Sequence, residues 1–334
     1  MLGSMLGIDH RVTFFQELST LVGSGVSLGE ALSILQTRPA GPELRLAITD
    51  AAKRVSHGQR LSDIMADHPK VFSSLNRAMV LAGEQSGRLD EVLEEVADYL
   101  EREQELRRMI SRETFYPKIL VAAAILIPLS ARTFIAAFSE GTGAAVTAAL
   151  HTLGGYLALT VGLLALWFAY SRYRGTSQGR ISVDRAKLSI PLLGTVISQL
   201  AWAKICRAIA ALYKSGVSSA EAIELAGPAS GNHALELTLR RAAPQVRKGL
   251  PLSEALTATG HVPDLPLRML ATGEQTGDID TSLEKVAEYF EAQSRTSIHR
   301  MALLIVPLAT VIMGIVVLMM AIGAYGGYFN ALME

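Results

Sequence analysis

The chain is written twice. Met79–Glu101 (MVLAGEQSGRLDEVLEEVADYLE) returns as Met269–Glu291 (MLATGEQTGDIDTSLEKVAEYFE), 190 residues further on, with 12 of the 23 positions identical. A second block, Ser24-Gly25-Val26-Ser27 followed by Glu30-Ala31, recurs as Ser215-Gly216-Val217-Ser218 followed by Glu221-Ala222, and Pro117 has a counterpart in Pro307. Any fold for this chain must therefore be buildable as two similar units, each running on into an apolar tract.

Both units read as helical, with no alternating pattern that would support a strand. Phe14, Leu18, Leu21 and Val22 fall at helical spacing, and Ser24-Gly25 breaks that helix. Ser27 with Glu30 has the form of a capping box, in which hydroxyl and carboxylate satisfy each other's backbone donors, and Ser218 with Glu221 repeats it. Pro39-Ala40-Gly41-Pro42 cannot continue a helix. Glu43–Ser56, Ser62–Ala66 and Ser73–Ala82 read as further helices. Beyond Gly87 the residues Leu89, Val92, Leu93, Val96, Tyr99 and Leu100 form one apolar stripe, Asp90 is placed to cap the helix start, and Glu91, Glu94, Glu95, Asp98 and Glu101 occupy the other face.

Mean hydropathy is +0.30 although only 6% of residues are aromatic, a balance that points to the membrane. Three stretches are candidates to cross it: about Phe115–Ala137, about Leu153–Tyr170 and about Met301–Ala324. The first holds Lys118 and Arg132, and an arginine costs roughly 2.5–3.5 kcal/mol at mid-bilayer, but nine large apolar residues return roughly 3–5 kcal/mol. Snorkelling of both charged ends then favours insertion. Tyr325, Tyr328 and Phe329 sit where an aromatic belt belongs.

Arginine and lysine set the orientation. Arg102, Arg107, Arg108 and Arg112 precede the first stretch, Arg172, Arg174, Arg180, Arg185 and Lys187 follow the second, and Arg295 and Arg300 precede the third. Ser139–Thr152 and the tail after Ala324 have none. The positive-inside rule then places both units and the N-terminus in the cytoplasm and the C-terminus outside. The expected organisation is a cytoplasmic helical repeat (1–114), two membrane helices with a short outer loop (115–171), a basic linker and second cytoplasmic repeat (172–300), and a third membrane helix with a short outer tail (301–334). Residues 1–113 carry 13 basic against 17 acidic residues, and 172–300 carry 16 against 12, so opposite signs favour the repeats facing one another, within one subunit or between subunits, through an attraction that salt screens.

Chemistry-bearing motifs are sparse. Cys206 is the lone cysteine, which excludes an internal disulfide and a cysteine-based zinc site and reads as an apolar filler. There is no phosphate-binding GxxxxGK[ST], no HExxH and no CxxC. Gly25-Val26-Ser27-Leu28-Gly29 matches a nucleophile elbow, but that device needs a strand before it and here a helix precedes. Zero net charge argues against nucleic acid. The acidic run Glu91–Glu105 lacks calcium-loop spacing and reads as a solvated helix face. Gly323–Gly327 fits a small-residue helix-packing motif. No enzyme activity, cofactor or metal is expected. The most specific local feature is the repeated GEQSG/GEQTG turn, made of Gly83, Glu84, Gln85 and Gly87 and of Gly273, Glu274, Gln275 and Gly277. It reads either as backbone punctuation or as a docking or subunit-contact surface.

The duplicated openings FFQELSTLVGSGVSLGEAL and ICRAIAALYKSGVSSAEAI, the GEQSG/GEQTG turns, the acidic-faced helices and a proline at each entry into apolar sequence resemble the inner-membrane platform proteins of type IV pilus and type II secretion machines (the protein F / pilus C family). The resemblance covers nearly the whole chain. It implies an all-α membrane protein with two repeated cytoplasmic helical bundles, about six helices each, and three transmembrane helices. It further implies a bacterial or archaeal cytoplasmic-membrane protein that forms a homo-oligomer. Expected partners are a cytoplasmic hexameric ATPase, pilin or pseudopilin subunits and other inner-membrane assembly proteins. An internal repeat is also the mark of transporters and channels, but three spans without paired charges make a poor pathway.

Overall fold

The computed structural model describes residues 2–38, 41–113, 177–260 and 262–333, with isolated positions between 115 and 172. Among them every regular element is a helix: α1 (Leu2–Gly23), α2 (Leu28–Leu35), α3 (Pro42–Val55), α4 (Leu61–Asp67), α5 (Ser74–Ser86), α6 (Leu89–Glu113), α7 (Ser177–Ser189), α8 (Leu193–Lys214), α9 (Ser219–Ala226), α10 (His233–Arg247), α11 (Leu252–Thr257), α12 (Asp264–Thr276) and α13 (Ile279–Met333). In sequence register, α8 to α12 follow α1 to α5 one for one, and α13 begins where α6 does. A short 3₁₀ turn, Gly227–Ser230, is inserted after α9.

Met1–Met109 and Asp184–Ser294 form one compact unit, and Ile110–Val183 with Arg295–Glu334 form another. In the first unit, consecutive helices pack on one another: α1 on α2, α2 on α3, α3 on α4 and α4 on α5, then α8 on α9, α9 on α10, α10 on α11 and α11 on α12.

The repeated glycines explain why the helices stop alike. Gly25 (φ 86°) and Gly216 (φ 88°) take the left-handed conformation after α1 and α8. The Val26 amide donates to the Leu21 carbonyl and the Val217 amide to that of Leu212, both at 3.0 Å, the 6→1 bond of a Schellman motif. The predicted capping boxes form only in part. The Ser27 hydroxyl accepts from the Glu30 amide at 3.4 Å, whereas Ser218 makes no side-chain cap. A full box instead joins Ser73 and Asn76 at the start of α5. Asp90 lies in the first turn of α6 rather than at its N-cap, where its charge still complements the helix dipole.

The apolar stripe of α6 is the core. Val92, Leu93, Val96 and Leu100 are buried in the same apolar cluster as Phe14, Phe15 and Phe72, and the Phe14 and Phe15 rings meet edge-on at 5.0 Å. In the second repeat Leu283, Val286 and Phe290 bury the matching stripe of α13 against α8, whose Trp202, Ile205, Ile209 and Leu212 are buried. The Cys206 thiol, buried among them, is pushed up to about 12 by desolvation.

Of the three stretches expected to cross a membrane, the first two fall largely outside the described residues. At described positions there, Phe115, Ile119, Val161, Leu164 and Phe168 are exposed. The third lies within α13, a continuous helix of 55 residues whose last part, Met301–Met333, holds no charged residue. By length and composition α8 could also cross a membrane. It is nevertheless a packed core helix carrying Lys204, Arg207 and Lys214.

Candidate functional site

The GEQSG segment is not a loop. Gly83 to Ser86 form the last turn of α5, and only Gly87 (φ 71°) leaves the helix; in the second copy α12 runs to Thr276 and Gly277 (φ 78°) leaves it. The expected tight turn is therefore a helix C-terminus, because the chain needs left-handed backbone at a single residue.

Each position has a separate task. A Cβ on Gly83 would come within 2.8 Å of Val92 Cβ, so this glycine lets α5 and α6 approach. A Cβ on Gly273 would overlap the Ser282 side chain and come within 2.8 Å of the Asp278 carbonyl oxygen. Glu84 reaches back across the bundle to the start of α4. Its Oε1 accepts from the Leu61 amide at 2.6 Å and the Ser62 amide at 3.4 Å, and its Oε2 accepts from the Ser62 hydroxyl. Glu274 repeats this on α11, accepting from the Leu252 amide, from the Ser253 amide at 3.2 Å and from the Ser253 hydroxyl. Neither α4 nor α11 has a side-chain cap from its own N-cap residue. The carboxylates supply it from a distance, satisfying orphan amides with a charge the dipole favours.

The Ser86 and Thr276 hydroxyls donate to carbonyls four residues back, at 2.8 and 3.0 Å. Gln85 and Gln275 remain exposed, and among the described residues neither side chain makes a hydrogen bond. Three of the four candidate residues in each copy are thus occupied in holding helices together, and the glutamine faces outward.

A second feature was legible only as a charge imbalance. α5 packs on α8 and α9, so the repeats touch. Beside this contact Lys214 Nζ lies 2.7 Å from Glu284 Oε1 on α13 and 3.9 Å from Glu95 Oε1 on α6. Lys214 and Glu95 edge a cleft of about 300 Å³ that also takes in Ser86, Arg88, Glu91 and Asp280. Burial pushes the Glu95 carboxyl above its ordinary range, Lys214 opposing this and Asp98, Glu284 and Glu94 reinforcing it. Further along α8, burial lowers the Lys204 ammonium while Glu103 of α6 holds it up. Much of the acidic run is spent locally, Glu91 on Arg88, Glu103 on Arg107 and Glu105 on Arg102. Ser27, the residue matching a nucleophile elbow, is the N-cap of α2 and follows helix α1.

Comparison with known proteins agrees with this duplicated architecture. The family model described as "Type II secretion system (T2SS), protein F" matches residues 14–137 and 205–326. The type IV pilus assembly protein PilC of Thermus thermophilus is 33% identical over 334 residues, covering 96% of this chain and 82% of the relative. Type II secretion system protein F of Xanthomonas campestris pv. campestris is also 33% identical, over 90% of this chain and 77% of the relative. PilC of Pseudomonas aeruginosa is 27% identical, over 94% and 89%. Two matched segments sharing one register, together with similarity over most of the chain to proteins named for pilus assembly and for secretion, place the chain in the type II secretion system protein F family.

Proposed function

We propose that this chain is the cytoplasmic-membrane platform of a type IV pilus or type II secretion assembly machine, a non-enzymatic scaffold. In this reading its helical repeats lie in the cytoplasm, and three helices anchor it in the membrane. It couples a cytoplasmic ATPase to extraction and polymerisation of pilin-like subunits and works as a homo-oligomer. The observation that carries the reading is α13. One unbroken helix begins in the packed second repeat and runs into a stretch with no charge at all. Its outer side chains Leu303, Val311, Ile315 and Leu318 are exposed, as are Val161, Leu164 and Phe168. Exposed apolar residues at this density belong in lipid, where a helix also satisfies its own backbone. A helix continuous in sequence from a packed repeat into an uncharged stretch is suited to carrying displacement between a soluble motor and membrane-embedded subunits.

Affinity purification of the full chain from native membranes tests the assignment, with a co-purifying ATPase and a pilin-like protein expected. Proline at Val286, buried at the base of α13, or at Val96 in α6, should abolish filament or secretion output while membrane insertion persists. Normal output from both variants would remove the force-transmission role.

A further inference from the structure

α5 and α12 are the same helix in the two repeats, yet their outer faces are in opposite states. Leu75 of α5 is 3% exposed and Met79 is fully buried, whereas the matching Leu265 of α12 is 53% exposed and Met269 only half-buried. α5 has a cover, because it packs on α8 and α9 of the second repeat. The surface it covers shows the reverse contrast. Ala208 and Ala211 of α8 and Ser215 beyond it are buried, while the matching Glu17, Thr20 and Ser24 of the first repeat are half-buried or exposed. Ile34 of α2 is 41% exposed, and its counterpart Leu225 is half-buried. Between α1 and α2 this leaves an open groove of about 290 Å³, lined by Glu17, Thr20, Leu21, Ile34, Leu35 and Arg38. The chain thus carries one filled copy of a helix-on-groove contact and, separately, both unfilled halves of a second copy.

We propose that a second copy of this chain completes it: α12 of one copy docks in the α1–α2 groove of the next, reproducing between chains the contact that α5 makes with α8 and α9 within each chain. The substitutions at the two open faces are matched in charge. Where α5 has Ala78, α12 has exposed Arg268, and where α8 has Ala208, α1 has Glu17. Among the described residues Glu17 is held only by a 3.7 Å contact with exposed Arg38, so it is accessible to an incoming arginine. Donor face and acceptor face differ, which makes the contact heterologous. Copies therefore add head to tail and stop growing only if the rotation closes a ring. A two-fold dimer would instead pair one patch with itself. The inference does not depend on motor coupling.

Full-length chains carrying Ile34→Cys or Leu265→Cys, separately tagged, test this in membranes. The native Cys206 is buried and stays silent to mild oxidant. Cross-linking is expected when the two variants are co-expressed and not with either alone, and the double variant should give a ladder extending past the dimer. Arg268→Glu should reduce the mixed product severalfold, and adding Glu17→Arg should restore it. Both cysteine positions are exposed, so an unchanged melting temperature verifies folding. Absence of the mixed product in folded protein, self-linking of either single variant at the same yield, or linkage confined within one chain would overturn the proposal.

Discussion

In the first repeat Gln16 donates one 3.2 Å hydrogen bond to Glu101, joining the first helix to the last across an exposed surface. In the second repeat Arg207 takes that position and directs Nε (3.1 Å) and Nη2 (2.5 Å) at a single Glu291 oxygen, with the arginine side chain only 14% exposed. The same two helices are clasped in both copies, but the charged clasp sits at the root of the 55-residue helix. By contrast, the glutamate clamp of α5 and α12 is closely reproduced, Glu84 and Glu274 each accepting from two successive backbone amides and one serine hydroxyl. Duplication has preserved what holds each repeat together and has altered what each repeat meets outside itself.

Breaking the clamp should produce the largest effects, and it should separate the copies. Gly273→Ala drives a Cβ against the Asp278 carbonyl, so backbone must move; Gly83→Ala meets only the Val92 side chain. Overpacking costs about 1–3 kcal/mol and sometimes more, so the Gly273 variant should lie at or above that range and the Gly83 variant within it, read by thermal unfolding. Glu84→Ala and Glu274→Ala should each cost about 1–3 kcal/mol by stranding amides at the start of α4 or α11. Near-equal losses are expected from these two, since the geometries match. A large inequality would show that the copies use the clamp differently.

Arg207→Gln converts the second clasp into the first and should cost about 1 kcal/mol or less, because the pair retains a hydrogen bond and is partly solvated. Smallest is the effect of pH. A carboxyl raised by burial, as Glu95 is, binds its proton more readily in the folded state than in the unfolded one. Its contribution is therefore fullest below the ordinary carboxylate range and is lost as pH rises through its folded value. Wild type should gain stability relative to Glu95→Gln on going from neutral to mildly acidic buffer, measured by denaturant midpoints. A loss would mean that the attraction of Lys214 outweighs desolvation.

The repeat, the helix order and the buried stripe of α6 were all legible in the sequence, since each rests on spacing along one element. Cys206 as a core filler was legible for the same reason. The role of Glu84 was not, because its partners Leu61 and Ser62 lie more than twenty residues upstream and nothing in the local pattern names them. The predicted box at Ser218 failed although its residues repeat those at Ser27, so residue identity at a cap position does not ensure the bond. The box at Ser73 escaped notice because asparagine replaces the usual Glu or Gln. The contact between repeats appeared in the sequence only as a net-charge difference, too coarse to single out Lys214.

That lysine has one arm on each copy's final helix, and the arms are unequal. If the two repeats are pulled apart, the 3.9 Å contact with Glu95 is the one that parts, because Lys214 on α8 and Glu284 on α13 belong to the same repeat and keep their 2.7 Å pair. The joint is thus built with a designated breaking point, and it leaves the acid behind on α6.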